Sequence, residues 1–207
     1  PTWRRNDCKA GPDIAEEIFR FDGLHSVQSK PLTKMVPIQH DAMYKCQKQV
    51  RTLCTALGLT EVIPFPMQAQ DIQDMQPTIQ NPISTDLAIL RSNGIQSLLA
   101  CAAFNKARHS KPLRLFSIGP AWRSDQKESL MLSILLQGST QYQPYKTNES
   151  HTEPVDFYHT KGILDQIIEP LGHRYDVDAS HSSWLHPGQS ASIIVQSSKV
   201  GEFGVLH

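Results

Sequence analysis

The sequence has 207 residues, of which 39% are hydrophobic and 19% charged, proportions that are typical of an ordinary soluble globular domain and exclude disordered and collagen-like chains. Lys and Arg together number 20, as do Asp and Glu, so the chain lacks the overall positive field that a stand-alone nucleic-acid binder uses. We expect one domain, or one domain with part of another.

The cysteines and the apolar runs bear on the compartment of the protein and on whether it could span a membrane. The chain contains four cysteines, which are Cys8, Cys46, Cys54 and Cys101. They show no metal-ligand spacing and are too few for a disulfide framework, so we expect a reducing, cytoplasmic setting. The longest apolar runs, residues 98–104 and 130–136, are far shorter than the roughly 18 residues that a membrane helix needs. Both ends interrupt predicted elements, so we expect a piece of a longer protein.

The first 27 residues predict a strand, a turn and a short helix. Gly11-Pro12 opens the helix, because proline is tolerated at the first helical position, and Gly23 ends it. Its apolar face consists of Ile14, Ile18 and Phe21. Residues 28–37 contain two prolines and are interpreted as a connection to the next unit.

A second helix is predicted from about residue 38 to residue 57, because apolar residues recur at spacings of four and three. These residues are Ile38, Ala42, Cys46, Val50, Leu53 and Leu57. Gly58 supplies the C-terminal cap. Residues 59–65 then predict a strand.

The rest of the chain predicts two helices and four strands. One helix runs from about residue 94 to residue 107, with Ser92 or Asn93 as its N-terminal cap, and the other starts at Pro154. The strands are 113–122, 130–136, 190–196 and 199–206, and the polar residues 139–153 predict a mobile loop. Because helices and strands do not alternate regularly, we predict an α+β fold with a mostly antiparallel sheet flanked by helices.

Several phrases, met in chain order, resemble the β subunit of bacterial phenylalanyl-tRNA synthetases. They are Pro1-Thr2-Trp3-Arg4-Arg5, Asp13-Ile14-Ala15-Glu16-Glu17-Ile18, Asn81-Pro82-Ile83-Ser84 with Leu90-Arg91-Ser92, Leu113-Arg114-Leu115-Phe116-Ser117-Ile118-Gly119, Val155-Asp156-Phe157 with Lys161-Gly162, and His186-Pro187-Gly188-Gln189-Ser190-Ala191 with Gly201-Glu202-Phe203-Gly204. The resemblance implies that residues 1–27 end a preceding domain. Residues 28–207 would then form a module with a fold similar to that of class II aminoacyl-tRNA synthetases.

The function implied by this resemblance is a supporting one. In that family the module lacks the catalytic residues and leaves adenylation to the α subunit. We therefore expect a non-catalytic module that packs against the α subunit, within a tetramer of two α and two β subunits that charges tRNA with phenylalanine using ATP. Helix 38–57 matches the family's interface helix, which makes Met43, Val50 and Cys54 the predicted contact residues. An active, diverged ligase domain and a synthetase-like regulatory protein remain alternatives.

One tripeptide imitates part of a catalytic set. Class II synthetases hold ATP with an Arg-x-Glu pair on an antiparallel strand, since fixed cations must clamp the charge that develops on the α-phosphate. Arg123-Ser124-Asp125 resembles that pair with a shorter carboxylate, but no later Gly-rich arginine motif follows in the sequence. The alternative is that Arg123 only caps a strand end at the surface. We predict no catalytic residue in this chain.

An acidic cluster lies at the start of the first helix. Asp13, Glu16 and Glu17 share one helix face, and Asp7 could fold back toward them. Oxygen ligands of this kind suit Mg²⁺. Alternatively, the acids complement the helix dipole and Glu16 pairs with Arg20. The resemblance implies Mg²⁺ at this place, shared with the α subunit, with Asp7, Asp13, Glu16 and Glu17 as ligands.

Overall fold

A computed structural model describes residues 6, 8–31, 41–72, 76–108, 112–123, 125–139 and 153–207. The chain divides into two compact units, Pro1–His40 and Asp41–His207. The domain boundary predicted between residues 27 and 28 is not decided by this division and stays a prediction.

The described part of the first unit contains one α-helix, α1 (Gly11–Asp22), followed by a short 3-10 helix, Leu24–Ser26. Its predicted start and end are confirmed. Gly23 has a φ of 89° and donates its N–H to the Phe19 carbonyl, which stops the helix. The apolar face is present but uncovered, since Ile14, Ile18 and Phe21 are 57%, 62% and 84% exposed. The strand predicted ahead of the helix falls largely outside the described residues.

Helix α2 (Ala42–Ala56) opens the second unit, and residues 38–40 of its predicted span lie outside the described part. Asp41 caps it by accepting a hydrogen bond from the Met43 N–H at 3.2 Å. Gly58, with a φ of 75°, lies just beyond its end, as predicted. The predicted inward stripe is wrong in its first half, because Ala42 and Cys46 are exposed. The core beneath the helix is reached only by its C-terminal half.

The central sheet has the order β1-β4-β5, formed by β1 (Thr60–Glu61), β4 (Leu113–Trp122) and β5 (Glu128–Gln137). The predicted strands at 113–122 and 130–136 are confirmed and pair antiparallel, whereas β1 runs parallel to β4. The strand predicted over 59–65 is wrong beyond residue 61. Pro64 and Pro66 have no N–H to donate to a ladder, which limits β1 to two residues.

Two smaller sheets complete the described strands. One pairs β2 (Met67–Gln68) with β3 (Ile89–Leu90), and the other has the order β6-β7-β8, with β6 (Asp176–Ala179), β7 (Leu185–Val195) and β8 (Ser198–Leu206). Both sheets are antiparallel throughout. The predicted closing hairpin is confirmed, and its turn lies at Gln196 and Ser197, whose φ values are 48° and 64°.

Two further helices cover the strands. Helix α3 (Ile95–Lys106) has Gly94 at its N-cap. The predicted cap residue Asn93 lies one position earlier, and its side-chain oxygen accepts a hydrogen bond from the Ile95 N–H at 2.9 Å. Helix α4 (Phe157–Ile168) begins three residues after Pro154, because the Asp156 carboxylate caps it through the His159 N–H at 2.8 Å. Of the predicted loop 139–153, residues 140–152 lie outside the described part. None of the described helices is long and apolar enough to cross a membrane.

The two faces of the β4–β5 pair contribute side chains to two different hydrophobic clusters. Side chains of one face, with Phe116 at the centre, pack against Cys54 of α2 and against Ile163 and Ile167 of α4. Leu115 and Leu135 on the other face pack against α3. A third cluster lies between α4 and the hairpin β7–β8. The described fold is therefore α+β, with helices packed on antiparallel pairs and one parallel pair.

Candidate functional site

The tripeptide that imitates an ATP-binding pair lies in the tight turn between β4 and β5. Arg123 follows the last residue of β4, is exposed, and donates its N–H to the Lys127 carbonyl at 3.1 Å. Asp125 forms an ion pair with Lys127 at 3.4 Å, and the Lys127 N–H lowers the pKa of its carboxyl group. Ser124 lies outside the described residues. This arrangement agrees with the interpretation of Arg123 as a strand-end residue at the surface.

Two of the predicted magnesium ligands already have partners within α1 and its N-terminal turn. The Asp13 carboxylate accepts hydrogen bonds from the Lys9 and Ala10 N–H groups at 2.8 and 2.7 Å, which satisfies donors at the helix start. Glu17, not Glu16, pairs with Arg20 at 2.7 Å. The predicted pairing of Glu16 with Arg20 is therefore corrected, because i,i+3 geometry brings Glu17 closer.

The predicted ligand set does not form a metal site in the described part of the chain. No group of three or more His, Cys, Asp or Glu side chains able to hold a metal ion is found there. Asp7 lies outside the described residues. Within this chain Asp13 caps the helix and Glu17 pairs with a cation, so coordination of Mg²⁺ by these carboxylates stays a prediction.

The three predicted interface residues of α2 differ in exposure. Met43 is 52% exposed and Val50 is half-buried, whereas Cys54 is 0% exposed. Cys54 packs against Leu59 and Phe116, and burial raises the pKa of its thiol to about 11, with a smaller contribution from Glu61. The placement of Cys54 on a surface open to a partner is therefore corrected, since its side chain belongs to the core of its own unit. A contact with another chain at Met43 or Val50 stays a prediction.

Two of the phrases that carry the resemblance pack directly on each other. The ring of Phe157, at the start of α4, stacks on the ring of Phe203 in β8, with centroids 4.8 Å apart and planes inclined by 21°. Glu202, next to Phe203, accepts hydrogen bonds from Lys199 at 2.7 Å and from Ser182. Burial alone would raise the pKa of Glu202, but these hydrogen bonds lower it overall. These contacts fix the hairpin β7–β8 against α4 and suggest a structural role.

A polar cluster that was not predicted from the sequence, and whose side chains are mostly half-buried, joins β2, β3 and the start of α3. Asp71 accepts hydrogen bonds from the Ser92 N–H at 2.7 Å and from the Ser92 hydroxyl at 2.6 Å. The Gln96 side-chain oxygen accepts from the Ile72 N–H at 2.9 Å and from Gln68 at 3.0 Å. These polar residues are separated by about 20 to 30 positions in the sequence and have no local spacing signal.

Arg91, which directly precedes Ser92 of this polar cluster, is a buried cation. It is 3% exposed, and its Nε donates a hydrogen bond to the Pro120 carbonyl at 2.9 Å. Its Nη1 is buried and has no hydrogen-bond partner among the residues that the structure describes. Removal from water lowers the pKa of the guanidinium. The phrase Leu90-Arg91-Ser92 was quoted for the resemblance, but nothing in its local pattern indicated burial.

Comparison of the chain with solved structures indicates its fold. Two structures of pyrrolysyl-tRNA synthetase from Desulfitobacterium hafniense align with 91% of the chain at TM-scores of 0.56, with 14% and 13% sequence identity. The alignment covers 63% and 64% of those chains. At such low identity this similarity concerns the fold alone, which is that of a class II synthetase.

Comparison of sequences identifies the family. The chain is 30% identical to the phenylalanine–tRNA ligase beta subunit of Yersinia pestis over 219 residues, and 31% identical to that of Gloeobacter violaceus over 217 residues. Both alignments cover 100% of this chain, which spans 27% and 26% of the length of those relatives. The profile of the phenylalanyl tRNA synthetase beta chain CLM domain matches residues 28–207. The chain therefore belongs to the phenylalanyl-tRNA synthetase β-chain family, as the order of its phrases predicted.

Proposed function

We propose that this chain is a non-catalytic module of the β subunit of a phenylalanine–tRNA ligase. Its work is to pack against the catalytic α subunit in a cytoplasmic tetramer of two α and two β subunits. The assembled enzyme charges tRNA with phenylalanine and uses ATP as a substrate. The observation that carries the proposal is the match of residues 28–207 to the β-chain profile. The similarity in fold to synthetase structures supports the prediction that the sheet of this module is mostly antiparallel.

The turn between β4 and β5 supports a non-catalytic role over an active ligase. An ATP-binding pair must present its cation to a phosphate in a fixed, water-poor environment. Arg123 is instead exposed, and Asp125 is engaged by Lys127 in the same turn. Screening by solvent weakens the interaction of such surface charges with any bound phosphate. Neither residue is therefore prepared to clamp a phosphate.

The isolated chain is expected to show no phenylalanine-dependent exchange between pyrophosphate and ATP. The physical reason is that Arg123 is exposed and that no later Gly-rich arginine motif follows in the sequence to clamp the phosphate with it. Exchange should be restored to the level of the intact enzyme only when the catalytic α subunit and the remaining β-subunit domains are present. Exchange by the chain alone, at a rate similar to that of an intact synthetase, would instead establish an active diverged ligase.

The uncovered half of α2 supports packing against another chain. Val50 and Cys54 lie seven and eleven residues after Met43, which is about two and three helical turns of 3.6 residues. The three side chains therefore form one stripe along the helix. The stripe is buried at Cys54, half-buried at Val50 and exposed at Met43. The helix thus extends past its own core with the same face uncovered. A partner that covers Met43 would continue the core that begins at Val50.

Magnesium at α1 stays a prediction for the assembled enzyme. The carboxylate of Glu17 would have to leave Arg20 before it could coordinate an ion. We expect calorimetric titration of Mg²⁺ into the assembled enzyme to show uptake that is lost when Glu16→Gln and Glu17→Gln are combined. Unchanged uptake and assembly in that double variant would mean that these carboxylates are only charges at a helix start. Asp22→Asn, on the same helix but outside the predicted set, is the matched control.

A further inference from the structure

The face of the β4–β5 pair that carries odd-numbered residues has two different halves. Because successive side chains of a strand alternate between faces, Leu115, Ser117 and Gly119 lie on the same face. The half toward the start of β4 carries leucines and is covered by α3. In the other half, Ser117 pairs with Ser133 across the ladder, Gly119 with Met131 and Ala121 with Ser129, so Met131 is the one large side chain among these six. This second half is lined mainly by small side chains.

The guanidinium of Arg91 lies over this small-residue half. A Cβ atom added to Gly119 would lie 2.4 Å from Nη2, and one added to Gly94 would lie 3.8 Å from Nη1. Nε donates to the Pro120 carbonyl at 2.9 Å, while the Arg91 backbone donates to Pro66 and accepts from Trp122. The side chain is thus held at the sheet by the strand that it covers.

A buried cation without a carboxylate partner is costly, and no ion pair of Arg91 occurs within the described part of the chain. A guanidinium is the cation that tolerates such a site best, because its charge is delocalised and weakly hydrated. Its flat shape also suits the space above a glycine. The position therefore selects the shape and chemistry of a guanidinium and not simply a buried apolar side chain.

We propose that the small-residue half of this sheet face is a guanidinium-binding chamber, which the protein fills with Arg91 of its own chain. Gly119 is glycine because the guanidinium takes the space of its side chain. Arg91 acts as an internal ligand that holds the segment after β3 against the end of β4. The chamber should accept a free guanidinium ion once the Arg91 side chain is removed.

The first test is the coupling between Gly119 and Arg91. The φ of Gly119 is outside the range that strains other residues, so alanine fits its backbone. In the unchanged protein, Gly119→Ala should lower Tm by roughly 5 °C or more, because the methyl group collides with Nη2. In an Arg91→Ala background the same change should have little effect. Gly162→Ala is the control, since nothing lies within 4 Å of that added Cβ.

An equal loss of Tm from Gly119→Ala in both backgrounds would overturn the proposal, because the collision would then not involve Arg91. Should the Arg91→Ala protein fail to fold, Arg91→Lys serves as the second background. Lysine keeps the charge but lacks Nη2, so Gly119→Ala should again be tolerated. A full loss in the lysine background would also contradict the proposal.

The second test is rescue by the free ion. Millimolar guanidinium chloride should raise the Tm of the Arg91→Ala protein by a few degrees relative to equal sodium chloride, as expected for a ligand that binds only the folded state. The unchanged protein, whose chamber is filled, should gain nothing. Equal Tm values in guanidinium and sodium chloride for the Arg91→Ala protein would refute the chamber.

Discussion

Phe116→Ala is expected to lower the free energy of unfolding of this chain by about 3 to 5 kcal/mol, the usual loss for a large aromatic side chain removed from a core. Phe116 is 0% exposed and packs with Cys54 of α2 and Ile163 and Ile167 of α4. It lies in the middle of the central strand, where its carbonyl also accepts a hydrogen bond from the Val62 N–H at 2.8 Å. The two helices α2 and α4 therefore lose their contacts with this side chain together, while the backbone hydrogen bond remains.

The measurement is denaturant unfolding followed by circular dichroism, with the slope of the transition checked against the unchanged chain. Phe65→Ala is the matched control, because Phe65 is 69% exposed in the same unit and surface changes usually cost about 0.5 kcal/mol or less. If the two variants lose similar stability, the cluster around Phe116 is not the main core. A changed slope would show that the unfolded or native state had changed its compactness.

The elements that the sequence analysis predicted well are those with local signals. The strand 113–122 has apolar residues at most of its positions, and the strands 190–196 and 199–206 are separated by the polar residues Ser197 and Ser198. Helix α1 begins and ends at the glycine and proline positions that its pattern predicts. In each case the deciding interaction lies within a few residues, so the sequence contains the whole cause.

The errors arose where distant residues decide the outcome. Cys46 has the right spacing for the inward face of α2 but lies beyond the core, and periodicity does not reveal where a core ends. The two-residue strands β2 and β3 exist because they pair with each other, and their nearest paired residues, Gln68 and Ile89, are 21 positions apart in the chain. Arg91 meets Pro120 across 29 positions. Such pairings leave no periodic pattern to detect.

The candidate site shows the same division. The family was predicted correctly from phrases in order, whereas the ligands and contact residues were carried over from the resemblance together with helical spacing. Asp13 was predicted as a metal ligand and caps a helix, because the first backbone N–H groups of a helix compete for any nearby carboxylate. Cys54 was placed at an interface and lies in a core. Helical spacing assigns a face, but not which molecule covers it.

Met43→Asp is expected to weaken binding of the catalytic α subunit by at least about tenfold while leaving the stability of this chain nearly unchanged. Met43 is 52% exposed, so the substitution removes little buried surface within its own unit. If a partner covers it, however, a carboxylate there must be removed from water without a counter-charge. Lys48→Asp is the control, since Lys48 lies on nearly the opposite side of α2 and is also exposed.

The measurement is the dissociation constant between the α subunit and the β subunit that contains this module, alongside the thermal unfolding of the chain alone. The interface assignment requires weaker binding for Met43→Asp than for Lys48→Asp, with similar unfolding temperatures for both. Equal binding by the two variants would mean that the uncovered stripe of α2 meets solvent in the assembled enzyme. A large drop in unfolding temperature for Met43→Asp alone would place the residue in this chain's own core, and its exposed position argues against that result because a surface change costs little stability.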